Sequence, residues 1–109
     1  MLEEINTANF QEKVVNLTDG KIVMVDFFTT WCGPCTQLLP VLEELNTENV
    51  DITIYKLDCE LSPDTATEYG IDYFPTVIFF RDGVAISVMH GNVAKDFFID
   101  RLFRLASLV

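Results

Sequence analysis

Trp31-Cys32-Gly33-Pro34-Cys35 stands where an apolar run gives way to a helical pattern, and that junction constrains the fold more than any other feature of the chain. On its N-terminal side, Val23-Met24-Val25-Asp26-Phe27-Phe28 is almost wholly apolar, the pattern of a buried strand. On its C-terminal side, Leu38, Leu39, Leu42 and Leu45 recur at helical spacing. The cysteines therefore fall at a helix N-terminus. Free N–H groups and the positive end of the helix dipole stabilise a thiolate there, and a thiolate is the nucleophile of thiol–disulfide exchange. The spacing puts both sulfurs on one side of the first turn, within reach of a disulfide. Pro34 is tolerated because a first-turn N–H has no helical partner to lose. Other uses of the pair are weaker. A structural disulfide would close a tiny loop and restrict the unfolded chain little. A structural zinc site needs four ligands, and beyond this pair the chain offers only Cys59 and His90.

Position along the helix assigns the thiols. Cys32 lies nearer the helix end, where exposure and dipole are greatest, and is expected to attack. Cys35 is expected to resolve the mixed disulfide, releasing reduced substrate and leaving a Cys32–Cys35 disulfide. Asp26, set in an apolar strand, is expected to be desolvated with a raised pKa, which suits a general base near working pH. The alternative is an outward-facing Asp at a strand edge.

A chain of 109 residues, half of them apolar, is expected to form one domain over 1–109 with its own core. No apolar run approaches the roughly 20 residues needed to span a bilayer. The start, Met1-Leu2-Glu3-Glu4, lacks the basic segment of a signal peptide. Three cysteines are too few for a disulfide scaffold and suit a reducing compartment. A cytoplasmic location follows as the expectation. The formal net charge of −10 disfavours nucleic-acid binding, since phosphates would be repelled. Residues 22–55 hold no Lys or Arg, so the cysteine helix has no basic side chain near it in sequence. The acidic balance reads either as a solvated surface or as selection of basic partners by charge complementarity.

Asn6 or Thr7 can cap a first helix ending near Leu17, with a turn at Asp19-Gly20. A strand over Ile22–Phe28 leads to the cysteine helix, expected to run to about Thr47 with a kink at Pro40. Ile52–Asp58 alternates as a strand, and Pro63 opens a short helix that Gly70 ends. Asp82-Gly83 between Thr76–Arg81 and Val84–His90 is a strong hairpin signal. A last helix is expected over Val93–Leu108, with Ala94, Phe98, Leu102 and Leu105 on its core stripe. Strands alternate with helices and end in a hairpin and a helix. That pattern predicts an α/β fold, a mixed sheet covered by helices on both faces.

The sequence resembles the thioredoxin family along almost its whole length. Besides the Trp-Cys-Gly-Pro-Cys motif, the likeness rests on Val25-Asp26-Phe27, Pro40, Lys56-Leu57-Asp58, Tyr69-Gly70-Ile71, Phe74-Pro75-Thr76, Asp82-Gly83 and Gly91. The resemblance implies a thioredoxin-like fold of about five strands flanked by about four helices. It also supplies the strand order and a short extra strand near Glu4–Ile5. It implies that Asp26 lies behind Cys35 and moves its proton, often through a water, with Lys56 on the neighbouring strand. It further implies that Pro75 is cis and faces the cysteine pair, offering the backbone of Phe74 to an extended substrate chain, while Gly91 lets that chain approach. The activity implied is reduction of protein disulfides by a monomeric dithiol carrier with no cofactor or metal of its own. An NADPH-dependent thioredoxin reductase would recharge it. A thiol oxidase or isomerase and an accessory binding subunit are the rival readings; Gly33-Pro34 between the cysteines favours reduction.

Several positions depart from the family pattern. Phe28 replaces a Trp, Thr36 a Lys, and Tyr73-Phe74 a small and a branched residue. His90 and Cys59 each replace an aliphatic one. Trp31, Gly33, Pro34, Tyr73, Phe74, Pro75, His90 and Gly91 are expected to form the substrate surface around Cys32. Cys59, at the end of a parallel strand, is expected to border it, either as a small space-filler or as a second redox-sensitive thiol. His90 would be a rim contact or a pH-dependent influence on the thiolate.

Overall fold

The computed structural model describes residues 1–49 and 51–107. In chain order the elements are β1 (Glu3–Ile5), α1 (Thr7–Phe10, continued as a π-helical stretch over Gln11–Val15), β2 (Ile22–Phe28), α2 (Gly33–Glu48), β3 (Ile52–Asp58), α3 (Pro63–Glu68), β4 (Thr76–Arg81), β5 (Val84–His90) and α4 (Lys95–Ala106). The five strands form one mixed sheet in the order β1-β3-β2-β4-β5. The pairs β1–β3 and β2–β3 are parallel, while β4 is antiparallel to both β2 and β5. This is the α/β architecture expected.

The all-apolar reading of β2 reflects its central place. It is flanked by β3 and β4, and helices cover both of its faces. Alternation splits its side chains between two cores. Met24 joins Ile54, Val77 and Phe79 beneath Leu38, Leu42 and Leu45 of α2 and Phe98 and Leu105 of α4. Val23, Val25 and Phe27 join Leu57, Ile78 and Phe80 beneath Phe10, Val14 and Ala66 of α1, its continuation and α3. Asp26 shares the parity of Met24 and therefore faces α2.

The local signals have visible causes. Asn6 caps α1 by exchanging hydrogen bonds with Asn9. Pro63 opens α3, and Gly70 closes it at φ +64°, donating to the Thr67 carbonyl while Ile71 donates to that of Ala66. Asp82 and Gly83 both take positive φ in the two-residue hairpin turn. A Cβ at Gly83 would also collide with the Val15 carbonyl. α2 runs through Pro40 as a single helix.

Two boundaries differ from expectation. The first helix stops at Val15, with Asn16 as the C-cap whose N–H makes the π-type bond to the Gln11 carbonyl, two residues short of Leu17. The last helix begins at Lys95, with Ala94 extended as its N-cap and exposed. Val93 packs on the core in place of Ala94, beside buried Phe98 and Leu105 and partly buried Leu102. The expected end at Leu108 lies outside the described residues. Among the described residues, no helix is long and apolar enough to cross a membrane.

Candidate active site

The site is built where β2 ends and α2 begins. Cys32 is the N-cap of α2, with extended backbone at φ −94° and ψ 112°. Its Sγ accepts the Cys35 N–H at 3.1 Å, so one of the helix's unpaired N–H groups points at this sulfur. Cys32 and Cys35 form a disulfide, with their Cα atoms 5.3 Å apart. No acidic side chain sits in the first turn to oppose a thiolate there.

Exposure does not distinguish the sulfurs as expected. Cys32 is 7% exposed and Cys35 5%. What separates them is their surroundings. Cys32 holds the N–H bond at the helix end, whereas Cys35 borders a partly open cavity of about 200 Å³ shared with Asp26, Phe28, Thr29, Thr30, Thr36, Leu39 and Lys56.

Asp26 is 1% exposed, so it is not an outward-facing strand-edge residue. Burial pushes its carboxyl up to about 7 from a model-peptide value of 3.8, and the Lys56 ammonium draws it partly back. Asp26 and Lys56 are direct neighbours in the β2–β3 register. The Lys56 Nζ also lies 5.8 Å from the centre of the Phe28 ring, a cation–π contact at the cavity wall. Among the described residues, Asp26 Oδ1 has no hydrogen-bond partner.

Across the rim, the Phe74–Pro75 peptide bond is cis. The Pro75 carbonyl accepts the Gly91 N–H at 2.8 Å, and Gly91 stands at φ +84°. Trp31, 68% exposed, meets Phe74 edge-on with ring centres 6.0 Å apart. Gly33 has open space where a side chain would be, and Pro34 is exposed beside it on the first turn of α2. Tyr73 and His90 also pack edge-on, with centres 5.8 Å apart. The Thr76 hydroxyl donates to the Tyr73 carbonyl at 2.6 Å and lies 3.1 Å from His90 Nδ1. A hydroxyl has one hydrogen, so toward His90 it accepts, and Nδ1 carries the proton. The Asn92 side chain donates to Gln37 of α2 at 2.8 Å, holding the Gly91 loop against the cysteine helix.

Contacts thus join Trp31 to Phe74, Pro75 to Gly91, and His90 to Tyr73 and Thr76. Asp26, Lys56 and Cys35 line one cavity. Cys59 does not border the rim as expected. Its strand ends at the same edge and its N–H bonds the Phe28 carbonyl, but its side chain is buried in the core beneath α1 and α3. Burial pushes its thiol up to about 12, reinforced by Asp58 and Asp26. His90 is paired with Thr76, on the sheet face of α1 and α3, whereas the Asp26 cavity opens on the α2 face. The sequence reading passed over Thr29, buried beside Asp26; a lone Thr after an apolar strand carries no motif. Among the described residues, no three His, Cys, Asp or Glu side chains gather to hold a metal ion.

Comparison with known proteins agrees with this geometry. The thioredoxin family model matches residues 1–103. The chain is 41% identical over 93 residues to a thioredoxin of Mycobacterium tuberculosis, covering 84% of this chain and 78% of that one. It is 40% identical over 96 residues to a thioredoxin of Chlamydia muridarum, covering 88% and 90%. It is 39% identical over 95 residues to a chloroplastic M-type thioredoxin of Pisum sativum, covering 86% and 54%. With its sheet order, its Cys32–Cys35 pair at the start of α2 and a family match over nearly all its length, the chain belongs to the thioredoxin family and is a protein-disulfide reductase working by thiol–disulfide exchange.

Proposed function

We propose that Cys32 is the attacking thiol and Cys35 the resolving one, with Asp26 as the base that serves Cys35. The observation that carries this reading is the Cys35 N–H directed at Cys32 Sγ from the helix end. A negative sulfur gains from that bond and from the helix dipole. The Cys32 thiolate attacks one sulfur of a substrate disulfide, the substrate S–S bond breaks, and one substrate thiolate leaves. Cys35 then gives its proton to the Asp26 carboxylate and attacks Cys32 Sγ. The mixed disulfide breaks, the second substrate thiolate leaves, and the Cys32–Cys35 bond forms. Two electrons pass from the protein to the substrate. Lys56 keeps the Asp26 carboxyl from rising further, so that it can ionise near neutral pH.

The rim made by Trp31, Gly33, Pro34, Tyr73, Phe74, Pro75, His90 and Gly91 would take an extended substrate segment, paired through the backbone around Phe74. Exposed Trp31 and Tyr73 supply apolar contact for it. The net charge of −10 favours basic substrates. The oxidised protein would be recharged by an NADPH-dependent thioredoxin reductase. We read residues 1–109 as one domain acting as a monomer in the cytoplasm. An unpaired Cys59 suits that reducing compartment, and cell fractionation tests it against an organellar location.

Single cysteine variants test the assignment. After incubation with a disulfide-bonded protein, Cys35→Ser accumulates a mixed disulfide on non-reducing gels and Cys32→Ser does not. Accumulation with Cys32→Ser instead would reverse the roles.

A further inference from the structure

Asp26 Oδ1 and Thr29 Oγ1 are the two buried side-chain oxygens among the described residues that lack a hydrogen-bond partner. They belong to neighbouring residues of one cavity. Both residues border the space of about 200 Å³ behind Cys35, and they are 1% and 3% exposed. Buried polar groups are rarely left unpaired, and a largely apolar cavity of this size with two unpaired oxygens on its wall has room for a bound water that serves both. Each partner suits a bridging water. The carboxylate accepts, and the hydroxyl can donate or accept as needed. Other groups facing Asp26 do not fill this role. Lys56 on β3 is turned over the Phe28 ring, Cys35 on α2 is the proton's source, and Val77 on β4 is apolar. Cys59, beyond the end of β3, feels the Asp26 charge, but its side chain lies in the opposite core.

We propose that the Thr29 hydroxyl anchors water against Asp26 and so positions the proton path from Cys35. Thr29 is a positioning residue, not a catalytic one. This rests on the reading of Asp26 as the base for Cys35. In the resolving step the Cys35 S–H proton crosses the anchored water to the Asp26 carboxylate. The Cys35 thiolate then forms the bond to Cys32 as the substrate thiolate departs. The hydroxyl's contribution favours the charged carboxylate, because an anchored water donates to it.

The test uses Thr29→Val, which keeps shape and removes the hydroxyl, with Thr29→Ala should the valine variant fail to fold. The Asp26 carboxyl is titrated by carbon NMR, and the pH profile of disulfide reduction is recorded. Loss of the hydroxyl is expected to move the Asp26 midpoint upward by about half to one pH unit. Reduction near neutral pH should slow about two- to fivefold, with rates converging toward about pH 9, where Asp26 is ionised in both proteins. Thr29→Ser should restore both readouts. In an Asp26→Asn background, Thr29→Val should cost nothing further. An unmoved Asp26 midpoint together with an unchanged pH profile overturns the role of Thr29, while the effect of Asp26→Asn alone still stands. If Asp26→Asn reduces disulfides as fast as wild type, the reading of Asp26 itself falls, and the proton path with it.

Discussion

Replacing Asp26 by Asn should stabilise the oxidised protein, and the gain should grow with pH in a defined way. The carboxyl is 1% exposed and burial holds its pKa at about 7 in the folded state, against 3.8 in a model peptide. Below about pH 4 the side chain is protonated in both folded and unfolded chains, so ionisation adds no penalty. Between those two values the unfolded chain releases a proton that the folded one retains. Folding stability then falls by about 1.4 kcal/mol per pH unit. Above pH 7 the folded protein also ionises and the loss levels off. A gap of about three pH units amounts to roughly 4 kcal/mol. Asn has the same shape and does not titrate. The wild-type and variant stabilities should therefore run parallel below pH 4, diverge to about pH 7, and stay apart by about 2–4 kcal/mol above it, the lower bound allowing for an imperfectly satisfied amide. Urea denaturation of both oxidised proteins across pH 4–9 measures this, and titrations common to both cancel in the difference. A difference that does not vary with pH would refute a desolvated carboxyl at this position.

Cys59 should resist alkylation in the native oxidised protein. With its thiol pushed up to about 12, the thiolate near pH 8 is about a thousandfold scarcer than for a free thiol; mass spectrometry should find it modified only after denaturation, and native labelling at the denatured rate would contradict its burial. His90→Val should leave the absorbance titration of the Cys32 thiolate unmoved, because the imidazole is engaged by Thr76 and Tyr73; a downward or upward displacement beyond about half a pH unit would show that His90 acts on the sulfur.

How much was legible from the chain varies residue by residue, and each case has a physical reason. The redox pair was legible because Cys-x-x-Cys between a short continuous apolar run and a period-3.6 run marks a strand-to-helix junction. The burial of Asp26 was legible because Val23, Met24, Val25, Phe27 and Phe28 around it leave no solvent face. The Asp82-Gly83 turn was legible because few pairs adopt two positive φ angles in succession. These are local facts, and local chemistry carries them.

What the chain alone could not decide depends on which face a residue presents once its strand has ended. Ala94 keeps the spacing of its helix's stripe, yet the chain is still extended there, and Val93 takes the core position. Cys59 shares a sheet edge with Cys32, but its side chain turns beneath α1 and α3 into the opposite core. Thr29 lies one residue past β2, where strand alternation no longer assigns a side, and only the packing of α2 over the sheet encloses it with Asp26 and Cys35 in one cavity. The sequence by itself determined the nucleophile, its partner thiol and the strand–helix frame, because backbone propensity and hydrophobic period act over a few residues. The tertiary structure decided which polar groups meet behind Cys35, because burial and electrostatics are set by residues distant in sequence that the sheet brings side by side.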